Sequence, residues 1–386
     1  MVPPAFPMNS WRIITGEYAP QQGGVADYVA NLARALAEAG DRVEVHVPGP
    51  WEGRVEGGVT VRVLPDRFGP RSAAALLVLQ RLAPALQLLQ HSPFSYGARG
   101  LNVLFPRLFR ALPGPRVVMF HEVAYPREPG QLLRHALLAH AQRDMARALL
   151  DGASAACVST RAWTPILREL GWKRDVTELP IPSNLLPPPD LPVRAVLRAG
   201  LGLPADAPLL GHFGTYGPAV AEPLRAAVPA LLAATARHLV LLGRGARDFL
   251  AQLAVAHPRL SVRLHAPPVD AGSAVSRVLC ACDVLVQPYV DGVTTRRTSF
   301  MAGPAHGVST CTNRGPLTEA GWEQLPGVRL ARDASAGALA QVVDEALAAD
   351  PAADGHAAAA VYAARFSMDH AVSRLRALAS GLGGRP

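Results

Sequence analysis

Residues 11–48 read WRIITGEYAPQQGGVADYVANLARALAEAGDRVEVHVP. WRIITG is an apolar run of strand length. QQGG is a loop, VADYVANLARALAEAG is a helix closed by Gly40, and RVEVHVP is a second strand. A helix between two strands this close in sequence makes the strands parallel, because an antiparallel pair needs only a hairpin.

The pattern continues outward from this unit. VTVRVLP (59–65) reads as a strand, and AAALLVLQRLAPALQLLQ (73–90) as one amphipathic or buried helix. RVVMFHE (116–122) is a buried-type strand, and QLLRHALLAHAQRDMARALL (131–150) a long helix. AACVST, RAWTPILREL and VTELPIP follow as strand, helix and strand. Alternation of this kind predicts an α/β chain with a doubly wound parallel sheet. The run PIPSNLLPPPDLP (180–192) then interrupts it, since Pro can neither continue a helix nor sit in a central strand. Alternation restarts with PLLGHFGT, AEPLRAAVPALLAATA, HLVLLG, GRGARDFLAQLA, SVRLHAP, SAVSRVLCA, DVLVQPY and GVSTCTN. ALAQVVDEALAAD and RFSMDHAVSRLRALASG close the chain as helices. The expected division is two domains, 1–190 and 191–386, with the last helix free to pack back on the first domain.

Composition agrees with two globular cores. The chain has 386 residues, 49% hydrophobic and 18% charged, which is the opposite of a disordered balance. The net charge of +8 is carried by scattered Arg without basic runs or interleaved aromatics. No nucleic-acid partner is expected. An anionic small ligand or the anionic inner face of a membrane fits as well. Cys157, Cys280, Cys282 and Cys311 form no CxxC and lie in apolar runs, as buried thiols of a reducing cytosol do. The start MVPPAFPMNS lacks the basic and apolar regions of a secretory signal, so a cytoplasmic protein is expected. The 73–90 segment carries Arg81, Pro84 and several Gln and makes a poor membrane span.

Open parallel sheets bind ligands beyond the carboxyl ends of their strands, and four such loops stand out. Gly23 and Gly24 precede the first helix, where bare backbone N–H groups and the helix dipole favour an anion. A plain tight turn is the competing reading. His121 and Glu122 close a very apolar strand. His121 could bond a substrate hydroxyl or move a proton, or be structural. Gly214 and Thr215 end the first strand of the second half and leave room for a phosphate. The fourth loop lies in PYVDGVTTRRTSFMAG (288–303). Asp291-Gly292 turns the chain there, and Thr294 or Thr295 is expected to cap the next helix. Arg296 and Arg297 would fall in that helix's first turn, the unfavourable end of the dipole for a cation. A bound phosphate would explain them, because guanidinium binds it bidentately. A solvated Arg pair is the alternative.

Taken together, these residues resemble the retaining, nucleotide-sugar-dependent glycosyltransferases of family 4. GGVADYVANLARALAEAGDRVEVHVP is similar to that family's N-terminal signature, and FHE to its acceptor-domain strand end. LPIPSN (179–184) is similar to its end-of-domain segment. SRVLCACDVLVQPYVDG (276–292) is similar to the run that leads into its pair of glutamates eight positions apart. The similarity spans residues 11 to about 380. It implies a GT-B fold of two Rossmann-like domains facing a central cleft, acceptor on the first and donor on the second. It also implies transfer with retention, without a metal or other cofactor, the nucleotide-sugar being a substrate. The Gly23-Gly24 loop would face the donor diphosphate and His121 the donor sugar near the reaction centre. Asp291, with Gly292, would lie near the sugar hydroxyls. Ser299 stands where the second glutamate, a ribose clamp, is expected. The family's basic pair after the first strand of the second domain has no counterpart in GTYGPAVAEPLR (214–225). Arg296 and Arg297 would then meet the phosphate from the other side. HSPFSYGARGLN (91–102) offers Tyr96 and Arg99 to an acceptor that the sequence does not identify. Two other classes compete: an epimerase-like enzyme on the same fold, and a sugar-nucleotide-binding protein without catalysis.

Overall fold

The computed structural model describes residues 9–21, 23–96, 100–127, 130–190, 194–204, 206–269 and 272–383. It divides into two compact units, Met1–Pro180 with Met368–Pro386, and Ile181–Ser367.

Unit 1 opens with β1 (Ser10–Ile14), α1 (Gly24–Glu38) and β2 (Arg42–Val47). β3 (Arg54–Glu56), β4 (Val59–Val63), α2 (Pro70–Leu82) and β5 (Leu86–His91) follow. Then come α3 (Leu104–Arg110), β6 (Arg116–Phe120), α4 (Leu133–Gly152), β7 (Ala155–Val158), α5 (Thr164–Glu169) and β8 (Val176–Glu178). The sheet order is β3-β4-β2-β1-β5-β6-β7-β8. All pairs are parallel except the edge pair β3–β4. Trp11, Ile13 and Ile14 on β1 are wholly buried, as expected of a parallel strand covered on both faces.

The segment 73–90, expected as one helix, is a helix and a central strand. The helix ends at Leu82, before Pro84, and Leu86–His91 inserts between β1 and β6. Leu86, Leu88 and Leu89 suit a helical or a strand period over so short a run, so pattern alone could not separate the two. Of the polar side chains on β5, Gln87 donates from Nε2 to Pro113 O at 3.0 Å, while Gln87 Oε1 and Gln90 Nε2 are buried without a hydrogen-bond partner among the described residues.

Unit 2 begins with α6 (Arg194–Gly200), β9 (Leu209–Phe213), α7 (Pro218–Leu231), β10 (His238–Leu242) and α8 (Ala246–Ala256). A 3-10 turn at Pro258–Arg263 leads to β11 (Leu264–His265), where a longer strand was expected. α9 (Gly272–Ala281), β12 (Val284–Gln287), α10 (Thr298–Ala305), β13 (Ser309–Asn313) and β14 (Val328–Ala331) complete a six-stranded sheet. Its order is β11-β10-β9-β12-β13-β14, all parallel. α11 (Ala336–Ala348) and α12 (Pro351–Arg365) follow. The edge strand β14 and the Ala-rich helix α12 were not legible in the sequence.

The final helix, α13 (Met368–Gly383), belongs to unit 1. Arg376 reaches Asp41 Oδ1 at 3.3 Å, and the other oxygen of that carboxylate accepts from Trp11 Nε1 at 2.9 Å. The boundary falls ten residues before the expected position 190. Ile181 N–H donates to Thr295 O (2.9 Å) and Ser183 N–H to the Tyr362 hydroxyl (3.1 Å), which attaches the start of the Pro-rich run to unit 2.

Candidate active site

In each sheet the strand order reverses once, between β1 and β5 in unit 1 and between β9 and β12 in unit 2. The loops leaving neighbouring strands diverge at such a point and leave a crevice. The 288–303 stretch leaves β12 at the reversal point of unit 2.

Its conformation is set by residues distant in sequence. Gln287, the last residue of β12, is fully buried, and its amide donates to Phe213 O (3.1 Å) and Ser299 O (3.2 Å). It therefore joins the end of β9, the end of β12 and the start of α10. Asn313, at the end of β13, brackets Tyr289: its Oδ1 accepts from Tyr289 N–H and its Nδ2 donates to Tyr289 O, both at 2.8 Å. Leu317 N–H donates to Asp291 O (3.0 Å). Gly292 has φ +82, and a Cβ there would collide with Thr318 Oγ1 and the backbone of Gly315. Only glycine meets both conditions.

Asp291 is not an isolated acid. Its Oδ2 accepts from Arg296 NH2 at 2.6 Å and its Oδ1 from Arg297 NH2. The side chains of Asp291, Arg296 and Arg297 remain 28%, 19% and 23% exposed. The Arg297 guanidinium lies over the Tyr289 ring, 4.6 Å from its centroid. The Tyr289 hydroxyl is 2.8 Å from Ser299 Oγ. Burial pushes the Tyr289 phenol up to about 12, the Ser299 bond opposing this in part. Ser299 is thus engaged with Tyr289, and its Cβ packs against Gly214, 3.6 Å from where a Cβ on that glycine would lie.

One sequence expectation is corrected here. α10 starts at Thr298, so Arg297 is its N-cap residue and Arg296 precedes it; neither lies in the first turn. The cause is Glu319, whose Oε1 accepts from both Thr295 N–H (3.2 Å) and Thr295 Oγ1 (2.9 Å) and holds that backbone out of the helix. Thr294 Oγ1 is buried without a hydrogen-bond partner and caps nothing. Across the crevice, Gly214 N–H donates to Leu242 O (3.1 Å). Gly243, at φ +101, comes so close to Gly214 O that a Cβ would not fit. Thr215 is exposed in this loop, and so are Arg244 and Arg247 at the start of α8. These cations after β10 were not singled out in the sequence.

Unit 1 holds the remaining candidates. Gly23 is the N-cap residue of α1, in extended conformation. A Cβ on it would lie 2.9 Å from Glu17 Oε2, whereas one on Gly24 would meet nothing. Glu17 Oε1 accepts from Ser95 Oγ at 3.2 Å. A carboxylate therefore already stands at this helix N-terminus, which weakens it as a phosphate site. His121, after β6, is 8% exposed, with Nε2 2.7 Å from Gln90 Oε1. That contact makes Nε2 the donor and leaves Nδ1 an acceptor. Burial, assisted by His91, holds the His121 imidazole down at about 3. Its affinity for a proton near pH 7 is therefore low, and of the two expected chemistries hydrogen bonding fits the ring better than proton transfer.

Tyr96 is 3% exposed, inside an aromatic cluster with Phe68, Phe105 and His91. Its hydroxyl is 3.0 Å from His91 Nδ1. The acceptor contact expected of Tyr96 is therefore not supported by its surroundings, which give it a packing role. Arg99 lies outside the described residues. Among the described residues no group of three or more His, Cys, Asp and Glu is placed to hold a metal ion.

Gln90, Gln287, Tyr289, Asn313 and Glu319 were not identified from the sequence. The available signal was a polar residue ending an apolar strand, as in VLVQ. Its target could not be read.

Residues 23–182 match the family model described as Glycosyl transferase 4-like domain. No curated protein matches the sequence. Among solved structures, the sucrose-phosphate synthase of Thermosynechococcus elongatus is similar with a TM-score of 0.70 at 17% identity, over 97% of this chain and 99% of that one. A glycosyltransferase from Rickettsia africae gives 0.71 at 11% identity, over 99% and 100%. The Anabaena protein Alr3699/HepE, solved in complex with UDP and glucose, gives 0.66 at 16% identity, over 97% and 100%. At these identities the likeness is one of fold: two Rossmann-like domains of the GT-B type.

Proposed function

We propose that this protein is a glycosyltransferase that moves a sugar from a nucleoside-diphosphate donor to an acceptor hydroxyl. The observation that carries the proposal is the Asp291–Arg296–Arg297 cluster at the strand-order reversal of unit 2. Two guanidiniums there share one carboxylate, and the buried Nε of Arg297 has no hydrogen-bond partner among the described residues. Cleavage of the sugar–phosphate bond builds negative charge on the leaving diphosphate. Preorganised donors at that charge are the largest single catalytic contribution such a site can make. The match of residues 23–182 to a glycosyltransferase domain and the fold both agree with this reading.

Within the proposal, Arg296 and Arg297 hold the diphosphate, Thr215 and Gly214 line its approach, and Ser299 faces the ribose. His121 is assigned a role as a neutral ring that hydrogen-bonds the donor sugar. No side chain is assigned as a nucleophile. Retention then follows from attack on the face the diphosphate leaves, with that diphosphate taking the acceptor's proton. Transfer is proposed to proceed without a divalent ion. The layer of α2, α3 and α4 exposes Val78, Leu82, Leu104, Leu133 and Leu137. Arg81 and Arg134 are exposed on the same helices. That composition supports peripheral association with an anionic membrane. Among the described residues no helix is long and apolar enough to cross one.

The decisive experiment is a thermal-shift panel of nucleoside diphosphates and their sugars, followed by donor hydrolysis with and without acceptors and with and without EDTA. A stabilising donor whose hydrolysis is accelerated by an acceptor supports transfer. Stabilisation with no turnover of any donor would leave a binding protein instead. The engagement of Ser299 by Tyr289 is the observation that keeps this second reading in view.

A further inference from the structure

The Arg pair already has an anion. Asp291 lies five and six positions before the two arginines, on the same loop, and each of its oxygens takes one guanidinium. The backbone around it is fixed by Asn313 at Tyr289, by Leu317 N–H at Asp291 O, and by the close packing of Gly292 on Gly315. The side chains are not fixed in the same way. All three are between a fifth and a third exposed, to the nearest tenth. A carboxylate can therefore rotate off its partners into water without leaving a charge in a dry interior, the situation that makes a buried pair hard to break.

The pairing is also chemically incomplete. The Arg297 guanidinium has five N–H donors in a fixed fork, and its bond to Asp291 occupies one terminal nitrogen. Arg297 Nε is buried without a hydrogen-bond partner. The Arg297 plane is held against Tyr289, whose hydroxyl is in turn held by Ser299. A carboxylate offers one charge and two oxygens to this pair. A diphosphate offers more of both, and phosphate geometry suits a bidentate fork.

From these contacts we infer that Asp291 is an internal counter-ion that occupies the phosphate position of Arg296 and Arg297 until a diphosphate displaces it. The inference rests on the donor-site reading given above. Asp291 then has two successive roles. Before a diphosphate binds, it offsets one of the pair's two charges and holds both guanidiniums to one carboxylate. Once displaced, its carboxylate is an unoccupied acceptor beside the bound diphosphate, where donor-sugar hydroxyls can donate to it. The competition lowers the apparent affinity for any diphosphate by the fraction of molecules in which the site is already filled. A free nucleoside diphosphate suffers this loss in full, whereas a nucleotide-sugar recovers part of it through the released acid. The arrangement would favour donor over spent product.

The test is calorimetric titration of the full chain with inorganic pyrophosphate, UDP and ADP, and with UDP-glucose and ADP-glucose. Wild type is compared with Asp291→Asn, which keeps the shape and removes the charge. The inference expects Asp291→Asn to bind pyrophosphate and the better nucleoside diphosphate at least fivefold more tightly, with a smaller gain or a loss for the sugar conjugate. Unchanged or weaker binding of pyrophosphate and diphosphate would overturn it, because an acid that only orients the arginines must weaken binding when removed. If wild type and variant bind none of the five ligands, the donor-site reading fails and this inference with it. Binding by wild type with no gain in the variant defeats the inference alone. Should Asp291→Asn fail to fold, a crystal structure of wild type soaked with pyrophosphate decides the matter. Retention of both Arg–Asp291 bonds beside bound pyrophosphate refutes displacement, and loss of at least one in favour of an Arg–phosphate bond supports it.

Discussion

Replacing Arg297 with alanine isolates one guanidinium of the proposed phosphate site. The fold should tolerate it. Arg297 is partly exposed and bonds Asp291, which keeps Arg296 as a partner. The lost contacts are a solvent-screened ion pair and stacking on Tyr289, each worth about 1 kcal/mol or less at such a position. Binding should suffer more. A hydrogen bond to a charged group contributes about 1.5–3 kcal/mol, and 1.4 kcal/mol is about tenfold in Kd. The affinity for a nucleoside diphosphate should therefore fall by about ten- to a hundredfold. A ligand at about a hundred times its Kd stabilises the native state by about 2.7 kcal/mol. After a thirtyfold loss of affinity the same concentration is about three times Kd, and the gain shrinks to about 0.8 kcal/mol. The thermal shift seen in wild type should thus fall to about half in Arg297→Ala for a tenfold loss and to about a third for a thirtyfold one, at one fixed ligand concentration. Arg296→Ala should behave alike. The double variant should not be additive, since both arginines share Asp291. Shifts equal to wild type in both single variants and the double variant would refute a phosphate role for the pair.

Three further outcomes are expected. His121→Ala should lower turnover far more than diphosphate affinity, and turnover near the wild-type rate would make the ring purely structural. Because Ser299 is short, neutral and bonded to Tyr289, a 2′-deoxy donor should bind within about tenfold of its ribose counterpart, and a hundredfold preference for ribose in competition titrations would show another group holding the ribose. Burial holds His91 and His212 at about 4 and His121 at about 3. An unfolded chain binds these protons below pH 6.5 while the folded one does not, so stability falls with pH from 6.5 down to those values. The slope is at most about 1.4 kcal/mol per pH unit for each ring. His212→Gln should flatten the decline of Tm between pH 6.5 and 4.5, and an unchanged slope would show that His212 titrates alike in both states.

Much of this protein was legible in its sequence because the information is local. An apolar run of strand length, a Gly-closed helix and another apolar run specify a parallel unit without reference to the rest of the chain. WRIITG, RVVMF and DVLVQ all became buried strands of parallel sheets. The Pro-rich run marked the division to within ten residues. Local pattern failed where it was ambiguous or weak. LQLLQ fits two periods, and its place as a central strand depends on β1 and β6 closing around it. α13 lies with unit 1 because Arg376 finds Asp41, more than three hundred positions earlier.

The candidate site divides in the same way. Asp291, Gly292, Arg296 and Arg297 could be found in the sequence because their types are unusual together at a strand end. Their states could not. That Asp291 already offsets one of the two arginine charges depends on a loop backbone fixed by Asn313 and Leu317. The late start of α10 depends on Glu319, twenty-four positions after Thr295. Tyr96 looked available in a Gly-rich loop, but the tertiary packing of Phe68 and Phe105 encloses it. His121 could have been a hydrogen-bonding, proton-moving or structural residue, and only the bond to Gln90 and the burial of the ring show it to be a weak base. Residue types and short-range periodicity select the fold and nominate the chemistry. Burial, charge state and hydrogen-bond direction are sums over neighbours brought together from the whole unit, and only the folded chain decides them.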